Sequence, residues 1–149
     1  MTPITREIID YAIRKEFEAA KFYRDLQARV KLNSSKKFLK ELEDMELQHA
    51  EILRNYLEDQ SQISLISEPT DLKISDDLDD IEIKDDLTFQ EVIIIAMKRE
   101  EAAMNLYNRL AENISDSAAK TVFLRLAQEE SKHKYSLETM YDDEILAEN

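Results

Sequence analysis

Apolar residues recur along most of this chain at alternating spacings of three and four, the period of one face of a helix. Ile9, Ala12, Ala19, Tyr23, Leu26 and Val30 trace a first helix from Pro3 to about Val30, with proline where a helix start tolerates it. Leu39, Leu42, Leu53 and Tyr56 trace a second, from Lys36 to Asp59, after an Asn33-Ser34-Ser35 turn and N-cap. Ile93, Ala96, Ala103, Tyr107, Leu110 and Ile114 trace a third, opened by a Thr88–Glu91 capping box and running to about Glu112. Phe123, Leu126, Leu137 and Met140 trace a fourth, which follows a turn at 113–117 and reaches about Leu146. Short turns make each pair an antiparallel hairpin. Segment 60–87 breaks the pattern. It holds Pro69, an acidic run at 76–80, and Leu72, Ile74, Ile81 and Ile83, which are expected to pin it to the helices. A link this long is what a bundle needs when its second and third helices run parallel. The pattern predicts one all-α domain over 1–149: an antiparallel four-helix bundle of two hairpins joined by a long crossover.

Six charged or titratable residues interrupt the apolar stripes without leaving them: Glu16, Glu46, His49, Glu100, Glu130 and His133. Glu46–His49 and Glu130–His133 are both Glu-x-x-His pairs, and residues three apart share a helix face. The halves are also an internal repeat, 12–58 on 96–142, without a gap. Ala12, Glu16, Ala19, Tyr23, Leu26, Glu46, His49 and Leu53 fall on Ala96, Glu100, Ala103, Tyr107, Leu110, Glu130, His133 and Leu137. The two histidines of the chain fall on each other.

Composition narrows the reading. There is no glycine, against an average near 7%, and sheet proteins rely on glycine at hairpins and bulges. Asn33 and Asn113 stand where a left-handed residue is expected to end a helix. The net charge of −13, from 33 acidic and 20 basic residues, disfavours nucleic acid and anionic membrane as partners. The absence of cysteine removes disulfides, thiolate zinc sites and iron–sulfur clusters. No apolar run approaches the ~18 residues of a membrane span, and the N-terminus lacks a signal-peptide pattern. A cytoplasmic location is expected.

One glutamate on a core stripe would ordinarily read as a buried ion pair. Four with both histidines would need cationic partners on the same stripes, and the stripes carry none. Unpaired, each buried charge costs several kcal/mol. Two divalent cations balance four carboxylates. At 1.5 Å per residue, Glu16 and the Glu46/His49 pair both lie about 20–25 Å from the intervening turn, and the second half repeats this, so the six meet at one level. Carboxylate and imidazole without thiolate suit iron or manganese. Ala12, Ala19, Ala96 and Ala103 leave room beside the glutamates. Tyr23 and Tyr107, two turns beyond Glu16 and Glu100, are core residues or candidate catalytic groups that orient a ligand or supply an electron. Without metal, the crowded glutamates should include some with pKa values above the ~4.3 of free glutamate.

The doubled pattern Ala-x3-Glu-x2-Ala-x3-Tyr followed by Glu-x2-His resembles the ferritin-like superfamily, and within it the rubrerythrin branch, over both hairpins. The resemblance implies two iron ions, with manganese or zinc as substitutes. Glu46 and Glu130 would bridge them, Glu16 and Glu100 would be terminal ligands, and His49 and His133 would serve one ion each. It further implies reduction of hydrogen peroxide, or oxidation of ferrous iron by oxygen or peroxide, in defence against oxidants. Two departures accompany it. Rubrerythrins proper carry a further glutamate where this chain has Ala103, and a cysteine-ligated iron domain that a chain without cysteine cannot form. The near-symmetric ligand set is similar to the bacterioferritin type, and electrons would come from a separate donor protein. A homodimer or higher homo-oligomer is expected. Two other readings remain open: an iron-binding or storage protein, and a helical interaction module with a structural metal site.

Overall fold

Thr2 caps the first helix, its hydroxyl accepting from the Thr5 amide at 3.2 Å, and Pro3 follows in the first turn. This helix, α1, spans Pro3–Gln27 and ends on Ala28 in the right-handed region (φ −77°, ψ −11°), with the Ala28 amide bonded to the Asp25 carbonyl. The second, α2, spans Asn33–Asp59. Asn33, Ser34 and Ser35 thus begin the helix three residues before the predicted start, and the Lys36 amide closes its first turn on the Leu32 carbonyl at 3.1 Å. The third, α3, spans Phe89–Asn113 and carries the capping box: the Glu91 amide donates to Thr88 Oγ1 and the Thr88 amide to Glu91 Oε1. The fourth, α4, spans Ser117–Glu148 and is capped by Asp116, whose Oδ1 accepts from the Ala118 and Ala119 amides. The computed structural model describes residues 2–59 and 87–148, with side chains through 143. The expectations for the crossover, including Leu72, Ile74, Ile81 and Ile83, lie outside the described residues.

Asn33 and Asn113 are both helical, so neither takes the left-handed position suggested for it. The chain leaves α1 through right-handed Ala28 and α3 through extended Ile114 (φ −108°, ψ 136°). Any residue adopts these conformations, so neither position calls for glycine. The Asn113 side chain instead donates to the Arg109 carbonyl at 2.8 Å, meeting one of the acceptors a helix end leaves open.

The helices pack most extensively as the predicted pairs, α1 on α2 and α3 on α4. The Leu87 amide donates to the Arg29 carbonyl at 3.1 Å, placing the start of α3 beside the α1–α2 turn. Hence α3 runs antiparallel to α1 and parallel to α2. Two apolar clusters form the core. One gathers Ile9, Ala12, Leu53, Tyr107, Leu110, Phe123 and Leu126, and the other gathers Tyr23, Leu26, Leu39, Leu42, Val92, Ile93 and Leu137. Each fully buried Leu or Ile stabilises by roughly 1.5–3 kcal/mol, so both clusters hold the helices in register around what lies between them. That layer is polar. None of the helices among the described residues is long and apolar enough to cross a membrane.

Candidate metal centre

All six stripe residues converge on this middle layer. Glu16, Glu46, His49, Glu100 and Glu130 are each at most 3% exposed. His133 is less enclosed, with 20% of its side chain accessible. Their ligand atoms form two overlapping quartets, Glu16–Glu46–His49–Glu130 and Glu46–Glu100–Glu130–His133, each with all its atoms within 4.8 Å of one another. Glu46 and Glu130 belong to both. Each quartet adds one carboxylate and one imidazole of its own.

The layer is incomplete as protein alone. Among the described residues, seven buried atoms in it lack a hydrogen-bond partner: Glu16 Oε2, Glu46 Oε1, His49 Nδ1, Glu100 Oε2, both Glu130 oxygens and His133 Nδ1. His49 Nδ1 lies 2.6 Å from Glu130 Oε1 and 3.5 Å from Glu16 Oε2, close but without hydrogen-bond alignment. Buried polar atoms are ordinarily satisfied. Here oxygens and imidazole nitrogens, all able to donate an electron pair, point at one another. Such a set fits cations of a metal that accepts oxygen and nitrogen ligands.

Electrostatics tell the same story. Burial, then the carboxylates of Glu16, Glu100 and Glu130, push Glu46 well above the ordinary range. Glu130 is likewise raised well above it, by burial and by Glu100. Glu100 goes the other way. Burial would raise it, but the adjacent Glu130 carboxyl, neighbouring His133 and the Tyr23 hydroxyl bring it below the usual value. Burial opposes charge on His49, yet the Glu130 and Glu16 carboxylates outweigh that and hold it up at about 11. The layer thus retains protons where a cation would serve.

The tyrosines act across the bundle. Tyr23 on α1 donates to Glu100 Oε1 on α3 at 3.1 Å, and Tyr107 on α3 donates to Glu16 on α1. Helical side chains lean toward their helix N-terminus, so each ring reaches back to the layer from two turns away and meets the opposite hairpin's glutamate. Burial, and after it the nearby carboxylates, raise both phenols well above their usual pKa, so they stay protonated donors. On the α2–α4 side the His49 and His133 rings stack at 5.8 Å and 6°.

Two details differ from the sequence reading. Ala19 and Ala103 are half-buried, whereas Ala20 is 1% exposed. A step of four from Glu16 stays nearer its face than a step of three, because four residues overshoot one turn by about 40° and three fall about 60° short. The second is Glu129, an outward position by heptad. Its Oε2 lies 3.1 Å from His49 Nε2, the ring nitrogen turned away from the layer. Its adjacency to Glu130, on the helix facing His49, was the one available sign.

The sequence profile of the Rubrerythrin family matches residues 7–141. The chain belongs to the Rubrerythrin family. Two solved structures share the family fold. A Thermotoga maritima protein, assigned as ferritin-like diiron-carboxylate, is 27% identical, with a TM-score of 0.65 over 94% of this chain and 95% of its own. A hypothetical protein from Pyrococcus furiosus is 24% identical, with a TM-score of 0.64 over 93% of this chain and 88% of its own. No curated protein matches the sequence. Family membership and fold agree with the four-helix arrangement around the carboxylate–histidine layer.

Proposed function

We propose that this Rubrerythrin-family chain is a di-iron carboxylate oxidoreductase that reduces hydrogen peroxide. The observation that carries the reading is the pair of buried quartets sharing Glu46 and Glu130, with seven electron-pair donors left unsatisfied. The similarity to a ferritin-like diiron-carboxylate protein supports iron in particular. Glu46 and Glu130 would bridge two ions. Glu16 and His49 would complete one position, and Glu100 and His133 the other, each histidine through its inward Nδ1. When bound, a ferrous pair supplies the two electrons that, with two protons, turn hydrogen peroxide into two waters.

The residues of the chain prepare that chemistry. Tyr107 and Tyr23 hold the terminal glutamates by one oxygen each and leave the other oxygen unpaired toward the layer. The two apolar clusters close it above and below and leave five of its six side chains at most 3% exposed, which strengthens the charge interactions among them. The chain has no cysteine for a thiolate-ligated iron, so the returning electrons would come from a separate donor.

The test is anaerobic loading with ferrous iron, elemental analysis, then separate stopped-flow mixing with peroxide and oxygen. Two ions per chain and faster oxidation by peroxide are expected. Faster oxidation by oxygen would make the protein a ferroxidase that handles or stores iron. Loading without reaction with either oxidant would make the site structural.

A further inference from the structure

The two halves of the layer are related by the repeat but are not equal. On the Glu16 side, His49 is buried and its outward Nε2 meets Glu129 Oε2 at 3.1 Å. Glu129 is held in turn by Arg125 Nε at 3.6 Å. On the Glu100 side, His133 has no such carboxylate among the described residues, and its side chain is 20% open. The repeat shows why: the position equivalent to Glu129 in the first half is Met45, which packs into an apolar cluster. One imidazole is oriented by a carboxylate and sealed; the other, stacked on it, is partly open to solvent and has no carboxylate on its outward nitrogen among the described residues.

An imidazole that ligates through Nδ1 carries its proton on Nε2, and an acceptor placed there fixes the tautomer and the ring plane. It also raises the basicity of the ligating nitrogen. Losing such a partner typically costs 10–100-fold in metal affinity. We propose that Glu129 makes the two metal positions unequal: it fixes His49 so that the Glu16/His49 position retains its ion, while the Glu100/His133 position exchanges with solution. Glu129 is a positioning residue, acting through His49. The inference rests on the two-ion reading above, and the test separates the two.

Metal-free protein is titrated with cobalt(II), followed by its visible absorption and by calorimetry. Two ions are expected to bind in steps at least tenfold apart. Glu129→Ala should weaken the tight step about 10–100-fold and leave the loose one near its original value. Glu129→Gln, nearly isosteric and still offering a carbonyl oxygen to Nε2–H, should lose less, and it carries the test if the alanine variant fails to fold. His133→Ala should keep the tight step and His49→Ala should lose it. Two ions binding with equal affinity in the wild type would overturn the inequality while leaving the two-ion reading standing. An unchanged tight step in Glu129→Ala and Glu129→Gln, or survival of only the loose step in His133→Ala, would also overturn it. Failure to bind any cobalt would overturn both readings.

Discussion

Glu43 and Glu46 lie one turn apart on α2 and are 4% and 2% exposed, yet they meet opposite surroundings. Glu43 is turned toward α1, where Arg24 Nε donates at 3.0 Å and Gln27 Nε2 at 2.9 Å, with Lys40 Nζ 3.7 Å away. Despite its burial, bonds from Gln27 and Arg24 bring its pKa below the usual carboxylate value. Glu46 faces the carboxylates of Glu16, Glu100 and Glu130 and the two imidazoles, keeps an unsatisfied Oε1, and is pushed the other way. The first is a finished structural contact, since every charge has its counter-charge within the chain. The second is finished only by something added. Burial of an acid does not by itself mark function; what the chain supplies around it does. In the repeat, Ala127 occupies the position equivalent to Glu43, whereas Glu130 occupies that of Glu46. The ion-paired acid is present in one half only, and the acid of the polar layer is kept in both.

The largest expected difference between these two acids is in metal content. Glu46→Ala or Glu130→Ala should reduce bound ferrous iron from two ions per chain to one or none, because each serves both quartets. Glu43→Ala should leave two. Elemental analysis after anaerobic reconstitution decides it, and loss of iron from the Glu43 variant would erase the distinction.

The next effect is opposite dependence on pH. For the metal-free protein, Glu46 and Glu130 are raised above the ordinary glutamate value of 4.5. Their stabilising contribution is therefore full below about 4.5 and fades as pH rises through the folded values. His49, raised from 6.5 to about 11, adds a contribution that is full below 6.5 and lost as pH rises through about 11. Lowered Glu100 opposes them, contributing above about 4.5 and losing its contribution in acid. Metal-free protein should thus melt at progressively lower temperature from pH 5 to 9. Iron-loaded protein should hold its midpoint near neutrality, since binding displaces those protons and stabilises by about 3 kcal/mol per ion at a hundredfold excess over Kd. An apo–holo gap that stays constant over this range would contradict the buried, proton-retaining layer.

Glu43 should behave as the mirror image, on a smaller scale. Its lowered pKa contributes above about 4.5 and is lost as pH falls through the folded value. Glu43→Ala should cost roughly 1.5–3 kcal/mol at pH 7, the usual range for hydrogen bonds to a charged group, and approach the wild type toward pH 3. Denaturant unfolding at both pH values measures it. A cost that persists in acid would assign the loss to packing rather than to charge.

Much of this centre was legible in the sequence because ligand identity and helical period coincide. A Glu-x-x-His pair puts both donors on one face, and its repetition with Glu16 and Glu100 at matching distances fixed the set of six. Glu43 was not distinguishable in the same way, since its partners Arg24 and Gln27 come from α1 and only tertiary packing brings them together. Glu129 was hidden for a related reason. Heptad position describes where a Cα lies, whereas a long side chain on a facing helix can reach back to a histidine ring. The helix ends were misjudged because left-handed asparagine is one of several exits: Asn33 and Asn113 are helical, and the residues that close α1 and α3 are right-handed Ala28 and extended Ile114. The crossing of Tyr23 and Tyr107 depends on how α1 faces α3, which the pattern within one helix does not contain.

That crossing gives the smallest and most local test of how the layer differs from an ordinary ion pair. Tyr107→Phe and Tyr23→Phe remove one hydroxyl each without changing ring packing in the two clusters. The orphaned partner is Glu16 or Glu100, a buried carboxylate oxygen that then has no donor. Leaving such an atom unsatisfied costs about 1–3 kcal/mol, but a bound cation beside the same carboxylate recovers part of it. The expected loss is therefore about 1 kcal/mol in iron-loaded protein and larger in metal-free protein, measured by denaturant unfolding of each form. Iron content should stay at two ions, because the tyrosines orient the terminal glutamates and do not ligate. Equal losses with and without iron would mean that the hydroxyls only fasten α1 to α3. A fall to one ion would make each tyrosine indispensable to its metal position.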